Sequence, residues 1–258
     1  MLVVISPAKK LDWRPVDAPA SVPRLQDEAV ALAEVARALC AEELGRLMHL
    51  SPALSALNHD RFQRFSAEPA PETVRPAVLG FAGDTYVGLH AASLEPEARD
   101  WARGHLRILS GLYGLLRPDD GIQEHRLEMG TRLATPRGTS LYDWWGARIA
   151  RLLQADAKAA GAVALVNCAS KEYFTAVDQR AMALPVITPQ FLDRNEGEEA
   201  RVVSFHAKRA RGAMARFMME NRLTDPADLR HFDAMGYRFR PDDSQADAPV
   251  FLREHPAR

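Results

Sequence analysis

Two hydrophobic periodicities alternate along this 258-residue chain, and together they restrict it to folds that mix strands with helices. Leu2–Ile5 is a continuous apolar run that stops at Ser6 and Pro7, which is typical of a buried strand that runs into a loop. From Leu25 to Leu39 the apolar residues recur at helical spacing, which predicts an amphipathic helix. We therefore predict the α+β class.

The same criteria predict the other elements of the chain. Further strands are expected over 76–81, 163–166, 186–188 and 202–205, and further helices from Ser51 and Pro52 onward and over 96–109, 141–160 (stopped by Gly161) and 210–223. These elements form one domain over residues 1–258, with a mixed sheet of roughly six strands packed with helices. The acidic tail, about 241–258, is expected to be loosely ordered.

Charge and composition exclude several classes of protein. The chain carries 33 basic and 34 acidic side chains, so it is not a strongly basic binder of polyanions as a whole, and attraction to nucleic acid must come from local asymmetry. Its two cysteines, Cys40 and Cys168, are too few for a disulfide framework or a structural zinc site. Without a signal peptide or an apolar span, a cytoplasmic location is expected.

The strongest local excess of basic charge lies between Arg201 and Arg222. This segment contains six basic residues but only one acidic residue, Glu220. The basic residues are Arg201, Lys208, Arg209, Arg211, Arg216 and Arg222. On a helix over 208–223, all of these side chains except that of Arg201 flank an apolar face. That pattern is compatible with basic side chains that extend from a core helix into water. The shortage of nearby acids favours a surface that contacts phosphates.

A second basic segment surrounds a glycine turn between Arg103 and Arg137. A helix that is broken at Gly111 and Gly114 and stopped by Pro118 resembles a helix-hairpin-helix, in which a turn presents backbone N–H groups to a phosphate. Two residues separate these glycines, so an ordinary glycine turn is the alternative. The basic residues near the turn are Arg107, Arg117, Arg126 and Arg132, and they are partly neutralised by Asp119, Asp120, Glu124 and Glu128.

Two serine–lysine pairs follow predicted strands, where open sheets commonly bind ligands. Ser6 and Lys9 follow the first strand, and Ser170 and Lys171 follow the strand at 163–166. The pairs are suited to binding one phosphate or carboxylate, or to forming a serine nucleophile with a lysine base. Serines that cap loops and solvated lysines are the alternative. Nearby acids that suit proton transfer are Asp84, Glu128 and Glu172.

Metal-binding motifs are missing from the sequence. The histidines, including His105, His125 and His206, form no His-x-x-x-His or Glu-x-x-His pair, and no Cys-x-x-Cys is present. We predict no metal site and no cofactor.

Several long motifs, in this order and spacing, are similar to those of one bacterial family. They are Ser6-Pro-Ala-Lys9, Gly83-Asp-Thr-Tyr-Val-Gly-Leu89, His105-Leu-Arg-Ile-Leu-Ser-Gly-Leu-Tyr-Gly114, Arg126-Leu-Glu-Met-Gly130, Asn167-Cys-Ala-Ser-Lys-Glu-Tyr-Phe174 and Ser204-Phe-His-Ala-Lys-Arg-Ala-Arg-Gly212. From Met1 to about Tyr237 the chain resembles the YaaA family of peroxide-stress proteins, also called UPF0246 or DUF328.

The resemblance implies survival of peroxide stress with lower free iron and less oxidative DNA damage. It also implies an unusual α+β fold with a basic cleft, and binding of duplex DNA through a helix-hairpin-helix. The basic residues within or beside the matching motifs, which we expect in the cleft, are Lys9, Arg107, Arg117, Arg126, Lys171, Lys208, Arg209 and Arg211.

Our leading hypothesis is a protein of the peroxide-stress response that binds duplex DNA nonspecifically and protects it from iron-dependent damage. One alternative is an enzyme that acts on a nucleotide or nucleic acid at the Ser6/Lys9 and Ser170/Lys171 loops. The other is an iron-sequestering protein.

Overall fold

A computed structural model describes residues 1–255, with the side chain of His255 left out. The strands are β1 (Leu2–Ile5), β2 (Lys10–Leu11), β3 (Arg75–Pro76), β4 (Phe81–Ala82), β5 (Leu106–Ser110), β6 (Gly114–Leu116), β7 (Gly121–Ile122), β8 (Leu165–Cys168), β9 (Val186–Ile187), β10 (Gln190–Asn195), β11 (Arg238–Phe239) and β12 (Val250–His255). The helices are α1 (Gln26–Arg37), α2 (Ala41–Met48), α3 (Pro52–Arg64), α4 (Ala77–Gly80), α5 (Asp84–Leu89), α6 (Pro96–His105), α7 (Leu141–Trp145), α8 (Arg148–Ala159), α9 (Lys171–Phe174) and α10 (Ser204–Glu220). Short 3-10 helices cover Pro71–Thr73, Ala91–Ser93, Gln179–Ala181, Pro226–His231, Ala234–Gly236 and Pro241–Asp243.

A five-stranded sheet, in the order β6-β5-β1-β8-β9, forms the centre of the fold. Strands β5, β1, β8 and β9 are parallel, and β6 is antiparallel to β5. Every residue of β1 is buried, because both of its faces are covered and its continuous apolar sequence suits that position. The prediction of the α+β class and of the first strand is confirmed.

A second sheet, in the order β10-β12-β11, corrects the expectation for the tail. Residues 250–255 form its central strand, which pairs with β10 and with β11. Phe251 is fully buried, and its ring stacks on that of Phe191 at a centroid distance of 5.5 Å. The acidic composition just before this strand concealed its apolar core, Val250–Leu252. Residues 256–258 lie outside the described part of the chain.

The predicted helix over 96–109 ends at His105, and Gly111 lies in an ordinary tight turn, which was the alternative to a helix-hairpin-helix. Residues 106–116 form a β-hairpin, with β5 and β6 joined by a tight turn and both completely buried. Gly114 has a left-handed φ of 67°, and a Cβ at that residue would lie 2.7 Å from the Trp145 ring. A buried hairpin of apolar residues has no helix-hairpin-helix geometry, so that element is not found at this position.

Several other helices and strands begin or end at residues that differ from the predicted ones. The predicted strand at 76–81 is interrupted by α4, and the strand at 163–166 lies at Leu165–Cys168. The predicted helix at 141–160 is two helices separated at Gly146, whose φ is 47°, and Gly161 ends the second as expected. The predicted strand at 202–205 is replaced by the start of α10 at Ser204.

The short helix α5 and the long helix α10 cross at two glycines. A Cβ on Gly88 would lie 2.0 Å from the carbonyl oxygen of Arg209, and a Cβ on Gly212 would lie 1.8 Å from that of Thr85. No other residue allows the two backbones to approach so closely. The crossing fixes α10 against α5, and α10 also contacts β1 and β8. It therefore holds the basic part of α10 beside the central strands.

Buried apolar side chains from both sheets and from the helices around them form one connected core. Among residues 1–255, no helix is long and apolar enough to cross a membrane.

Gly212→Ala is expected to lower the free energy of unfolding by about 3 kcal/mol or more, because the methyl group forces the backbones of α5 and α10 apart. Gly104→Ala is the matched control, since a Cβ on this helical glycine meets nothing within 4 Å. It should raise stability by roughly 0.5 kcal/mol. Urea unfolding measures both, and equal effects would contradict the close crossing.

Candidate functional site

The strand order of the central sheet places a crevice between β1 and β8. From β1 the chain continues to β5 on one side, and it later returns to β8 on the other side. Such a reversal leaves an opening at the carboxyl ends of the two strands, where open sheets bind ligands. We call the side at which β1, β5, β8 and β9 end the carboxyl edge, and the opposite side the amino edge.

The two predicted serines meet in this opening. Ser6 directly follows β1, and Ser170 lies two residues after β8. The backbone N–H of Ser170 donates a hydrogen bond of 2.8 Å to Ser6 Oγ, and the two hydroxyl oxygens are 3.4 Å apart. Because Ile5 and Cys168 are register partners at the ends of the two strands, the sheet itself sets this proximity.

Helix α5 closes one side of the crevice. The hydroxyl of Tyr86 donates a hydrogen bond of 3.2 Å to the carbonyl oxygen of Ser6. Burial raises the pKa of Tyr86 well above its usual value, and the neighbouring Tyr173 adds to this shift. At the start of α5, Asp84 accepts a hydrogen bond of 2.9 Å from Arg209 Nε of α10. The phenol of Tyr86 therefore stays protonated, and Arg209 is already paired.

The other two predicted acids also lie beside the serine loops, and each has a partner. Glu128 Oε1 lies 3.0 Å from Lys9 Nζ and 2.8 Å from Arg126 Nη2. Glu172 Oε1 accepts a hydrogen bond of 3.0 Å from the backbone N–H of Gly130. The carboxylates thus neutralise part of the basic charge that the sequence places here.

Three predicted basic residues at the carboxyl edge have no carboxylate partner within the part of the chain that the structure describes. Lys171 and Lys208 have exposed side chains. Arg211 is partly buried. Burial lowers the pKa of Arg211.

Arg107 and Arg117 do not lie at the carboxyl edge. This corrects the prediction that all eight basic residues of the matching motifs line one cleft. Arg107 is near the start of β5, is only 4% exposed and donates to Asp156 Oδ2 at 2.6 Å. Arg117 follows β6 at the amino edge and pairs with the fully buried Asp120 at 2.9 Å. A buried arginine that neutralises a buried carboxylate is not available to a phosphate without disrupting the core.

The geometry does not form the serine–lysine nucleophile that the sequence suggested. Lys9 Nζ contacts Glu128, and the hydrogen bonds of Ser6 Oγ run to Ser170. A base must lie within hydrogen-bond reach of the hydroxyl that it activates, and neither lysine forms such a bond here.

The three histidines named above, His105, His125 and His206, lie in separate surroundings. His105 stacks on Trp101 at 4.0 Å and bonds to the carbonyl oxygen of Met1. His125 is buried, and burial lowers its pKa to about 4. His206 Nδ1 lies 3.3 Å from Asp193 of β10. Over residues 1–255, no three His, Cys, Asp or Glu side chains are grouped to hold a metal ion.

Helices α2 and α3 pack together as a compact pair. This pairing was not predicted from the sequence. The turn between them is residues 49–51, with His49 in the left-handed conformation at φ 54°. Gly45 allows the helices to approach, since a Cβ there would lie 2.5 Å from Ser55 Oγ. Residues 51–54 are exposed. The predicted helix start at Ser51 is confirmed, and Gly45 is the sequence feature that could have indicated the pairing.

The fold and the crevice define an α+β protein with a polar site at the switch point of its central sheet.

Comparison with known proteins identifies the group to which it belongs. Residues 1–243 match the family described as peroxide stress protein YaaA. The chain is 56% identical to a UPF0246 protein of Ruegeria pomeroyi over 255 residues, covering 99% of each chain. It is 55% identical to one of Roseobacter denitrificans over 258 residues, covering all of both chains. It is 60% identical to one of Cereibacter sphaeroides over 258 residues, covering 98% of this chain and 99% of the relative. The chain belongs to this family.

Arg107→Ala is expected to lower the free energy of unfolding by about 2 kcal/mol, because it removes one of the two arginines that bond to the buried Asp156 while Arg24 stays bonded at 2.7 Å. Lys158→Ala, at an exposed basic residue of α8, should change stability by less than about 0.5 kcal/mol. Chemical denaturation compares the two. Equal effects of the two substitutions would contradict a structural role of the buried Arg107–Asp156 pair.

Proposed function

We propose that this peroxide-stress family member binds duplex DNA through its phosphates, without reading bases, and so limits iron-dependent damage to DNA. The observation that supports the proposal is a pair of exposed lysines, Lys171 at the start of α9 and Lys208 in α10, which have no carboxylate partner among residues 1–255. Lys9, Arg126 and Arg209 are also basic, but each contacts a carboxylate. Phosphate contacts supply most of the affinity in nonspecific binding, so a local excess of charge suffices although the whole chain is neutral.

Lys171 and Lys208 are the side chains best suited to phosphate contact. Both are exposed, and no carboxylate has to be displaced before either one binds an anion. Lys9 and Arg126 share Glu128, and Arg209 is paired with Asp84, so these three contribute less net attraction. Arg211 is only partly exposed, so it is less available to a duplex than the two lysines are.

The α2–α3 pair is a second candidate contact and the element that best fits a helix-hairpin-helix. Its turn is short, its helices are close, and the first turn of α3 is exposed from Ser51 to Leu54. Ser51 Oγ accepts a bond from Leu54 N and Pro52 has no N–H, so the backbone N–H of Ala53 is the group of the first turn left without a helical partner. Groups of this kind bind phosphate in DNA-binding hairpins.

Reversing charge at the exposed lysines tests the edge directly. About four to six phosphate contacts give a slope of log affinity on log salt near −4 to −5, and Lys171→Glu with Lys208→Glu should make that slope about 2 less steep. Fluorescence anisotropy of labelled duplex DNA across a salt series measures it.

The control for that experiment carries the same change in charge elsewhere. Lys158→Glu with Arg222→Glu alters two exposed residues, one in α8 and one beyond the far end of α10. Arg222 is separated from Lys208 by roughly 20 Å of helix. Equal losses in the two double variants would indicate attraction to total charge alone, and no binding at low salt would overturn the proposal.

Ala53→Asp tests the hairpin, since it adds a negative charge in the first turn of α3. A carboxylate at this position interacts favourably with the helix dipole, so stability should hold or rise by up to about 1 kcal/mol. Affinity for duplex DNA should fall several-fold through repulsion of phosphate. Ala56→Asp, on the same exposed side but one turn later, is the control. Unchanged affinity in Ala53→Asp, by the same anisotropy measurement, would remove the hairpin from the interface.

A further inference from the structure

We propose that a cavity between residues 15–23 and residues 67–75 binds a small organic dication of the aliphatic diamine or polyamine class, with Asp27, Glu68 and Glu72 as its counter-charges. The cavity has a volume of about 920 Å³ and opens at the surface. The basic residues proposed to contact DNA do not line it. The inference therefore does not depend on DNA binding.

Both walls of the cavity are held by the segment around β7. On one wall, Ser21 N donates to the carbonyl oxygen of Asp119 at 2.8 Å, and Gly121 N donates to the carbonyl oxygen of Ser21 at 2.7 Å. Just before the other wall, Ser66 N donates to Gln123 Oε1 at 2.9 Å, and Gln123 Nε2 donates back to the carbonyl oxygen of Ser66 at 2.8 Å. A cavity of several hundred Å³ with walls fixed in this way is typical of a preformed site for a small molecule.

The lining of the cavity is mainly aliphatic. It includes Val16, Val22 and Val74 and five prolines, which are Pro15, Pro19, Pro23, Pro69 and Pro71. Over the described residues, no aromatic side chain lines the cavity, so a ligand finds no ring on which to stack. Saturated rings and methyl groups favour a hydrocarbon chain, because its methylenes gain free energy when they leave water.

The carboxylates of the lining favour a ligand with positive charge. Asp27 lies in the first turn of α1, whereas Glu68 and Glu72 belong to the opposite wall. In the part of the chain that the structure describes, none of these three carboxylates forms an ion pair. Since carboxylates lie on two sides of an apolar space, they suit a ligand that carries a cation at each end of an aliphatic chain.

Arg75 is the one cation that lines the cavity within the described residues, and its guanidinium is already engaged. Nη1 donates to the carbonyl oxygens of Glu72 and Val74 at 3.0 and 2.7 Å, and the guanidinium lies over the Trp13 ring at 5.6 Å. Three carboxylates and one guanidinium leave an excess of two negative charges. This charge repels phosphates, so the cavity and the lysines proposed to bind DNA select ligands of opposite sign.

Isothermal titration calorimetry of the intact chain, without DNA and at constant ionic strength, tests the site. Terminal diamines of butane, hexane and octane should bind at one saturable site. Their affinity should rise about two- to fourfold for each methylene added, until the chain fills the cavity. Hexanediol with terminal hydroxyls has the same chain without charge, and it should bind at least about tenfold more weakly than diaminohexane does.

Glu68→Gln with Glu72→Gln should weaken the binding of diaminohexane about five- to tenfold, because two ion pairs with the ligand are lost. Both residues are exposed, so the variant should fold as the wild type does. Glu196→Gln with Glu199→Gln is the matched control. It removes the same charge from the exposed loop after β10, which does not line the cavity, and its affinity should stay within about twofold of the wild type.

Four results would overturn the proposal. No saturable binding of any diamine would exclude the site. Equal losses in the two double variants, or equal affinity for all the diamines and for Mg²⁺, would assign binding to surface charge alone. Hexanediol that binds as tightly as diaminohexane would assign it to the apolar walls alone.

Discussion

The close crossing of α5 and α10 at Gly88 and Gly212 is the contact on which the rest of the site depends. It presses two backbones together and so fixes the rotation of α10. That rotation pairs Arg209 with Asp84 of α5 and leaves Lys208 exposed. On the other side of the contact, Tyr86 of α5 bonds to the loop after β1. One packing interaction therefore positions the basic helix, the tyrosine and the serine loop together.

Much of the fold could be predicted from local sequence patterns. The incorrect predictions fall where contacts between residues distant in sequence determine the structure. Leu2–Ile5 and the cap at Ser51 carry their own signals and were predicted. Residues 106–116 are buried on both sides, so they show no period that separates a strand from a helix. The strand at Val250–His255 follows an acidic stretch, and it is stabilised by β10, a strand distant in sequence.

Only part of the site could be predicted from the sequence, for the same reason. The rule that loops after parallel strands meet at one edge correctly brought Ser6 and Ser170 together. No local feature distinguishes the buried Arg107, whose partner Asp156 lies 49 residues away, from an arginine at the surface. The basic character of the edge is likewise moderated by acids from other elements, including Asp84 and Glu128. Pairing in space, rather than the number of cations, decides which side chains remain for an anionic ligand.

The central claim is that anions bind at the carboxyl edge of the five-stranded sheet. Hydrogen–deuterium exchange with and without a short DNA duplex, at low salt, tests it most directly, because it locates the contact without any substitution. We expect slower exchange at residues 170–174 and 204–211, together with residues 49–54 if the hairpin takes part. Protection confined to the amino edge, at residues 117–121 or 158–162, would contradict the account.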